Sequence, residues 1–240
     1  MKNYVRLPIK NAYNVRELGG YSCMKGKVTN YHRFLRADDL YLLDKEDIDF
    51  LLEYGVGAVI DLRSALELEQ NPNPFSKIAG VNYRNISLMV DDIANVTRVI
   101  ENLTSTFLKE FYVKLLKDST AAIKKTFEFI AEQDQDKCII FHCAAGKDRT
   151  GIIAMLLLGL VEVEKSDIIA NYEVTATYLR DNLAIQANSK QYPSALMESR
   201  REDIEPTINY IIDNHNTIEN YLLDIGISET VLKKIKNKLS

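Results

Sequence analysis

The chain has 240 residues, 46% hydrophobic and 27% charged, the balance of an ordinary globular protein and not of a disordered one. Thirty lysines and arginines against 34 acidic residues leave a net charge of −4, which argues against nucleic-acid binding and requires any anionic ligand to be met by a local cluster of positive groups. Three cysteines are too few, and odd in number, for a disulfide scaffold, so a reducing, cytoplasmic setting with a free thiol is expected.

The opening Met1-Lys2-Asn3-Tyr4-Val5-Arg6-Leu7-Pro8 lacks an apolar stretch of signal-peptide length, although export without a signal peptide stays open. Residues 42–54 carry Leu43, Ile48, Leu51 and Leu52 at helical spacing behind Asp44 as N-cap. Residues 57–62 form a short apolar run with polar edges, as a buried parallel strand should, and 81–86 are a weaker strand candidate. Helical spacing follows over about 93–116 and 120–131, then a second apolar strand over 137–143. Residues 151–161 are apolar on every face, which predicts a helix buried against the sheet. They are also too short for the roughly 20 residues that span a bilayer, so no stable membrane insertion is expected.

From there the pattern is helical, over about 166–180, 205–214, 217–224 and 228–239. Residues 181–204 have the poorest apolar pattern and are a candidate lid, while Tyr172, Tyr178 and Leu179 before them read as helical core. Alternating strands and helices predict an α/β fold, a mostly parallel central sheet flanked by helices, with a helical C-terminal third over about 166–240. No boundary divides the chain, so residues 1–240 are expected to be a single domain. Its oligomeric state is left open.

The chemistry concentrates in His142-Cys143-Ala144-Ala145-Gly146-Lys147-Asp148-Arg149-Thr150-Gly151. A strand ends, a short turn of small residues follows, and a helix begins. Consecutive N–H groups of Ala144, Ala145, Gly146, Lys147, Asp148 and Arg149 can converge there on an anion, at a helix N-terminus whose dipole favours negative charge. Arg149 can offer two parallel N–H donors to phosphate oxygens. Helix N-termini and nearby cations lower a thiol's pKa, and a thiolate facing a bound phosphoryl group is a nucleophile for displacement. No metal and no cofactor are called for.

A strand-terminal cysteine is more often a small core hydrophobe, and a Cys-x5-Arg spacing alone is weak. The flanking His142, Gly146-Lys147-Asp148 and Thr150-Gly151 turn it into a catalytic pattern. A nucleotide-binding loop does not fit, because Phe141 stands where its first glycine must be and Asp148 replaces its Ser or Thr.

The segment resembles the His-Cys-x5-Arg-Ser/Thr signature of cysteine-dependent phosphatases. Its Gly-Lys-Asp-Arg wording is similar to a bacterial branch of the protein tyrosine phosphatases, some of which act on phosphoserine and phosphoinositides. Asn14-Val15-Arg16-Glu17-Leu18-Gly19-Gly20-Tyr21, Phe34-Leu35-Arg36-Ala37-Asp38, Val59-Ile60-Asp61-Leu62-Arg63-Ser64 and Thr217-Ile218-Glu219-Asn220-Tyr221-Leu222 also resemble that branch, so the likeness spans nearly the whole chain. Glu17 stands where the branch usually has Asp. The resemblance implies a phosphatase fold, a phosphocysteine intermediate, and a phosphorylated protein or phosphoinositide as substrate.

On this reading Cys143 is the nucleophile, Arg149 binds phosphate and stabilises the transition state, and Thr150 donates to the thiolate or caps the helix. His142 either holds the loop backbone or is a core histidine. A phenolate leaving group, whose conjugate acid has a pKa near 10, needs a proton donor. Asp61, at the carboxyl end of a strand, is slightly favoured, with Asp148 tuning the loop or sharing the task; Asp61 could instead form a salt bridge to Arg63 or Arg16. Lys147 is expected at the rim, screening a multiply charged substrate. Arg16 and Arg36 could extend this positive patch but read mainly as structural. Two other readings compete: a sulfurtransferase carrying a persulfide on Cys143, and a catalytically silent phosphate-binding module.

Overall fold

The computed structural model describes residues 2–89, 107–182 and 198–240. The N-terminal part contributes β1 (Arg16–Glu17), the small ladder of β2 (Ser22–Cys23) with β3 (Lys27–Val28), then β4 (Phe34–Ala37) and α1 (Lys45–Glu53). There follow β5 (Val56–Asp61), α2 (Ala65–Gln70), a 3-10 turn at Pro74–Lys77 and β6 (Asn82–Asn85). Helices α3 (Phe107–Asp118) and α4 (Thr120–Glu132) precede β7 (Cys138–His142). The remainder is helical: α5 (Asp148–Leu160), α6 (Lys165–Leu179), α7 (Arg201–His215), α8 (Ile218–Asp224) and α9 (Glu229–Leu239).

The main sheet has the order β1-β4-β7-β5-β6. All its pairings are parallel except β1 with β4, so the fold is α/β with a mostly parallel central sheet. β7 lies in the middle and is buried along its whole length. Its side chains alternate between two cores. Ile139 and Phe141 join Phe34, Ala58 and Ile60 on the face covered by the later helices, whereas Cys138 and Ile140 join Leu35, Val59 and Leu51 on the face covered by α1. Burial on both faces explains why this strand reads as an unbroken apolar run.

Helix α5 follows from the same logic. Its hydrophobic residues surround it, and residues from Thr150 to Leu160 are buried apart from Gly159, which is half-buried. α8 comes so close that a Cβ on Gly159 would lie 2.0 Å from Ile218 Cδ1. Each fully buried Leu or Ile here contributes about 1.5–3 kcal/mol relative to exposure. Helix α1 begins as expected, with the Asp44 carboxylate accepting from Asp47 N at 3.0 Å.

Several boundaries differ from the sequence reading. β4 went unmarked as a strand because Arg36 interrupts its apolar run, yet all four of its residues are buried. α2 is only six residues long, announced by a capping box in which Ser64 and Glu67 bond each other's backbone N–H. α7 starts at Arg201 and carries Pro206 inside it, several residues earlier than expected. α3 starts at Phe107, and the expected helical residues 93–106 lie outside the described residues. So does most of the candidate lid, over 183–197, while residues 201–204 of that segment are helical. Tyr172 and Leu179 are buried in α6, as core side chains should be. Among the described residues no helix is long and apolar enough to cross a membrane.

Candidate active site

β7 ends at His142 and α5 begins at Asp148, so residues 143–147 must turn at the carboxyl edge of the sheet. The outside of this turn is fastened by donors from three places. Asp39 N donates to Ala144 O at 2.9 Å, Asn14 Nδ2 donates to Ala145 O and Gly146 O at 3.1 Å each, and Arg36 Nη2 donates to Gly146 O at 2.7 Å. Carbonyls committed to the outside leave the peptide N–H groups without those partners, the arrangement that an anion-binding concavity requires. Gly146 has φ +64°, and a Cβ there would lie 2.3 Å from Ala37 O. Only glycine fits between the loop and β4.

Cys143 opens the turn, 2% exposed, and the Thr150 hydroxyl donates to its Sγ at 3.1 Å. His142 is fully buried and links the loop to the sheet: Nδ1 lies 3.2 Å from Cys143 O, while Nε2 is 2.8 Å from Asn73 Nδ2. The two expectations for His142, backbone support and core packing, therefore coincide.

Arg149 directs Nη1 and Nη2 to the two carboxylate oxygens of Glu67, at 2.7 and 2.8 Å. Burial pushes the Glu67 carboxyl up, but its hydrogen bonds and charge pairing with Arg149 outweigh this and hold it at about 2. The Arg149 guanidinium, also opposed by burial, is raised in turn. A guanidinium carries five N–H donors. With the Nη1–Nη2 edge on Glu67, the Nε–Nη2 edge is the one that can grip two phosphate oxygens.

The two carboxylates considered as proton donors lie in opposite environments. Asp61 is fully buried and accepts from Arg63 Nε at 2.9 Å, Arg63 Nη2 at 2.7 Å, Asn73 Nδ2 at 3.1 Å and Tyr83 Oη at 3.3 Å, with His142 Nε2 3.2 Å away. Burial alone would raise its pKa, but His142 and Arg63 drive it far below the ordinary carboxylate range. This is the salt-bridge arrangement, made with Arg63 and not with Arg16. Asp148 has a side chain 31% exposed at the mouth of the loop, and the buried Tyr112 hydroxyl donates to its Oδ1.

Lys147 is not at a solvent rim. It is 3% exposed, and its ammonium donates to Glu198 O at 3.0 Å and lies 3.5 Å from Asp148 Oδ1. Arg16 and Arg36 are buried behind the loop. Arg16 bonds Asn171 O at 2.6 Å and Thr175 Oγ1 at 2.8 Å, and Arg36 bonds Asn171 Oδ1 at 2.6 Å. Both Nε atoms are buried without a partner among the described residues. Burial lowers both guanidiniums, Arg36 to about 10, which leaves it charged at neutral pH. Nearby Asp38 is pushed up by burial to about 6 and accepts from Tyr13 N and Asn14 N, placing the Asn14 amide under the loop. Glu17, despite its extra methylene, accepts from His32 N and Tyr54 Oη, each at 2.7 Å.

Sequence reasoning missed Asn14, Glu67 and Tyr112 as members of the site. The capping-box pattern Ser64-x-x-Glu67 marked α2 and could have brought Glu67 forward. Asn14 stood within a quoted motif without a role. Tyr112 has no local signal, because only the packing of α3 brings it to Asp148.

Residues 7–240 match the tyrosine phosphatase family. A tyrosine-protein phosphatase of Nostoc commune is 35% identical over 218 residues, covering 86% of this chain and 74% of its own. A Cupriavidus necator protein named as a candidate tyrosine-protein phosphatase is 27% identical over 223 residues, covering 88% and 80%. A crystal structure of P. aeruginosa TpbA aligns with TM-score 0.45 and 10% identity, over 90% of this chain and 96% of that one. The chain belongs to the tyrosine phosphatase family and is a phosphatase, a hydrolase.

Proposed function

We propose that this protein hydrolyses phosphotyrosine on protein substrates through a phosphocysteine formed on Cys143. The observation that carries the reading is the pairing of a Cys143 sulfur, hydrogen-bonded by Thr150, with a loop whose Ala144, Ala145 and Gly146 carbonyls are fastened by Asp39, Asn14 and Arg36. A phosphoryl group seated on the inward N–H groups and on the Nε–Nη2 edge of Arg149 meets the sulfur directly. Donors already in place then stabilise the charge that develops on its oxygens.

In the first step the thiolate forms an S–P bond, the ester P–O bond breaks, and Asp148 gives its proton to the leaving oxygen. In the second, the Asp148 carboxylate takes a proton from water, the water oxygen attacks phosphorus, and the S–P bond breaks with inorganic phosphate released. The Thr150 hydroxyl stabilises the departing thiolate. Asp148 is assigned the acid role because it is the partly exposed carboxylate at the mouth of the loop. Asp61, buried and tied to Arg63, is assigned to positioning the His142 end of the loop. The cycle uses no metal ion.

Membership of the tyrosine phosphatase family favours this reading over a sulfurtransferase or a silent binding module. The names of the relatives favour phosphotyrosine as substrate. A phosphoinositide substrate, implied by the resemblance, loses the support of Lys147 at the rim, because that ammonium faces Glu198 O and Asp148. Residues 1–240 act as one domain, and free cysteines at positions 23, 138 and 143 fit a cytoplasmic setting.

The test is a panel of phosphotyrosine, phosphoserine and phosphothreonine peptides and phosphoinositides presented to one preparation, with Cys143→Ser in parallel. Phosphotyrosine turnover that Cys143→Ser abolishes supports the reading. Sulfur transfer to cyanide without phosphate release overturns it, and preferred turnover of phosphoinositides overturns the substrate assignment.

A further inference from the structure

Two phenols from different helices converge on Asp148. Tyr112, on α3 and fully buried, donates its hydroxyl to Asp148 Oδ1, and its oxygen lies 2.7 Å from the Tyr172 hydroxyl on α6. The rings meet edge to face with centroids 6.1 Å apart. A phenol has one proton to donate. Because Tyr112 spends its proton on Asp148, Tyr172 must donate to Tyr112, and the direction of the chain is fixed: Tyr172 to Tyr112 to Asp148. Burial pushes both phenols well above their usual value, so both stay protonated donors.

Phenylalanine at these positions would fill the same apolar core without burying two hydroxyls. The hydroxyls therefore have a use beyond packing. We infer that Tyr112, backed by Tyr172, is a positioning residue for the reaction: by occupying Asp148 Oδ1 as a donor, it assigns the transferable proton to Oδ2 and fixes the carboxyl's orientation. The inference rests on Asp148 as the acid. Charged and titratable groups facing Asp148 are Tyr112 from α3, Tyr172 from α6, Lys147 before α5, Arg149 in α5 and Asp203 from α7. Deleting the Tyr112 donor frees Oδ1 to take the proton and the carboxyl to turn, so the cost falls on proton delivery to the leaving oxygen.

The experiment compares Tyr112→Phe, Tyr172→Phe and Asp148→Asn on phenyl phosphate, a poor leaving group, and 2,4-dinitrophenyl phosphate, a good one. Tyr112→Phe should lower kcat on phenyl phosphate by about tenfold, a fraction of what general acid catalysis supplies. It should leave KM and the dinitrophenyl rate unchanged. Tyr172→Phe should show the same pattern more weakly, and it carries the test should Tyr112→Phe fail to fold. If Asp148→Asn loses phenyl phosphate turnover selectively while both Phe variants match the wild type, or lose both substrates equally, the inference fails and the acid assignment stands. If Asp148→Asn shows no such selectivity, the acid assignment fails and the inference falls with it.

Discussion

Glu67 holds the two terminal nitrogens of Arg149 at 2.7 and 2.8 Å, with side chains 22% and 12% exposed. A short helix that the apolar pattern did not mark therefore sets the orientation of Arg149, the residue proposed to grip phosphate. Glu67→Gln keeps one acceptor and removes the charge. It should lower kcat/KM by about tenfold, equivalent to about 1.4 kcal/mol of transition-state stabilisation, measured by steady-state kinetics on a phosphotyrosine peptide.

The same pair makes a signed prediction about pH. The folded-state value of Glu67, about 2, lies below its ordinary 4.5, so the pair's stabilisation is complete above pH 4.5 and is lost as pH falls through about 2. Urea unfolding of wild type and Glu67→Gln should differ at neutral pH. The difference should shrink across that acid interval and not on the alkaline side.

Gly146→Ala should remove turnover while leaving most of the chain folded. The new methyl would meet Ala37 O at 2.3 Å in a backbone conformation of φ +64°. Strain of this kind costs about 1–3 kcal/mol and is relieved by moving the loop, which turns its N–H groups away from phosphate. Calorimetric titration with inorganic phosphate should show binding lost, with far-ultraviolet circular dichroism preserved.

Arg36 is a buried cation fastened to Gly146 O and Asn171, with its Nε unpartnered among the described residues. Arg36→Met removes the charge behind the anion site and the bond to the loop. Stabilisation by inorganic phosphate, read as the shift in melting temperature, should fall sharply. Arg36→Lys should restore part of it, because the charge returns without the paired geometry.

Asp61→Asn distinguishes support from proton transfer. Arg63 loses one of its two carboxylate partners and keeps Asp39 at 2.8 Å, so the cost should fall below the about 3–5 kcal/mol of a fully broken buried pair, visible in urea unfolding. Activity should then fall equally on good and poor leaving groups, since the loop loses its support through His142. Selective loss on phenyl phosphate would return the acid role to Asp61.

The sequence exposed what is local. The ten residues around Cys143 show strand, turn and buried helix by composition, and β5, β7 and α5 follow from apolar runs buried on both faces. What it concealed is long-range. Arg36 looks incompatible with a central strand until Asn171, brought from α6, bonds it. Lys147 looks like a solvated lysine until Glu198 O covers it. Asp61 sits at the correct strand end for catalysis, and only packing against Arg63, Asn73 and His142 distinguishes a buried counter-ion from an acid. Each depends on a partner far along the chain, which periodicity does not encode.

The most direct measurement traps the covalent intermediate. Thr150→Ala removes the donor to the departing thiolate, so the second step slows and the intermediate accumulates. Rapid acid quench after mixing with p-nitrophenyl phosphate, followed by mass spectrometry of the peptides, should find a phosphoryl group on Cys143 in Thr150→Ala and none in Cys143→Ser, which should also be inactive. Undiminished hydrolysis by Cys143→Ser, or turnover with no phosphoryl group on Cys143 at any quench time, would contradict catalysis through this thiol.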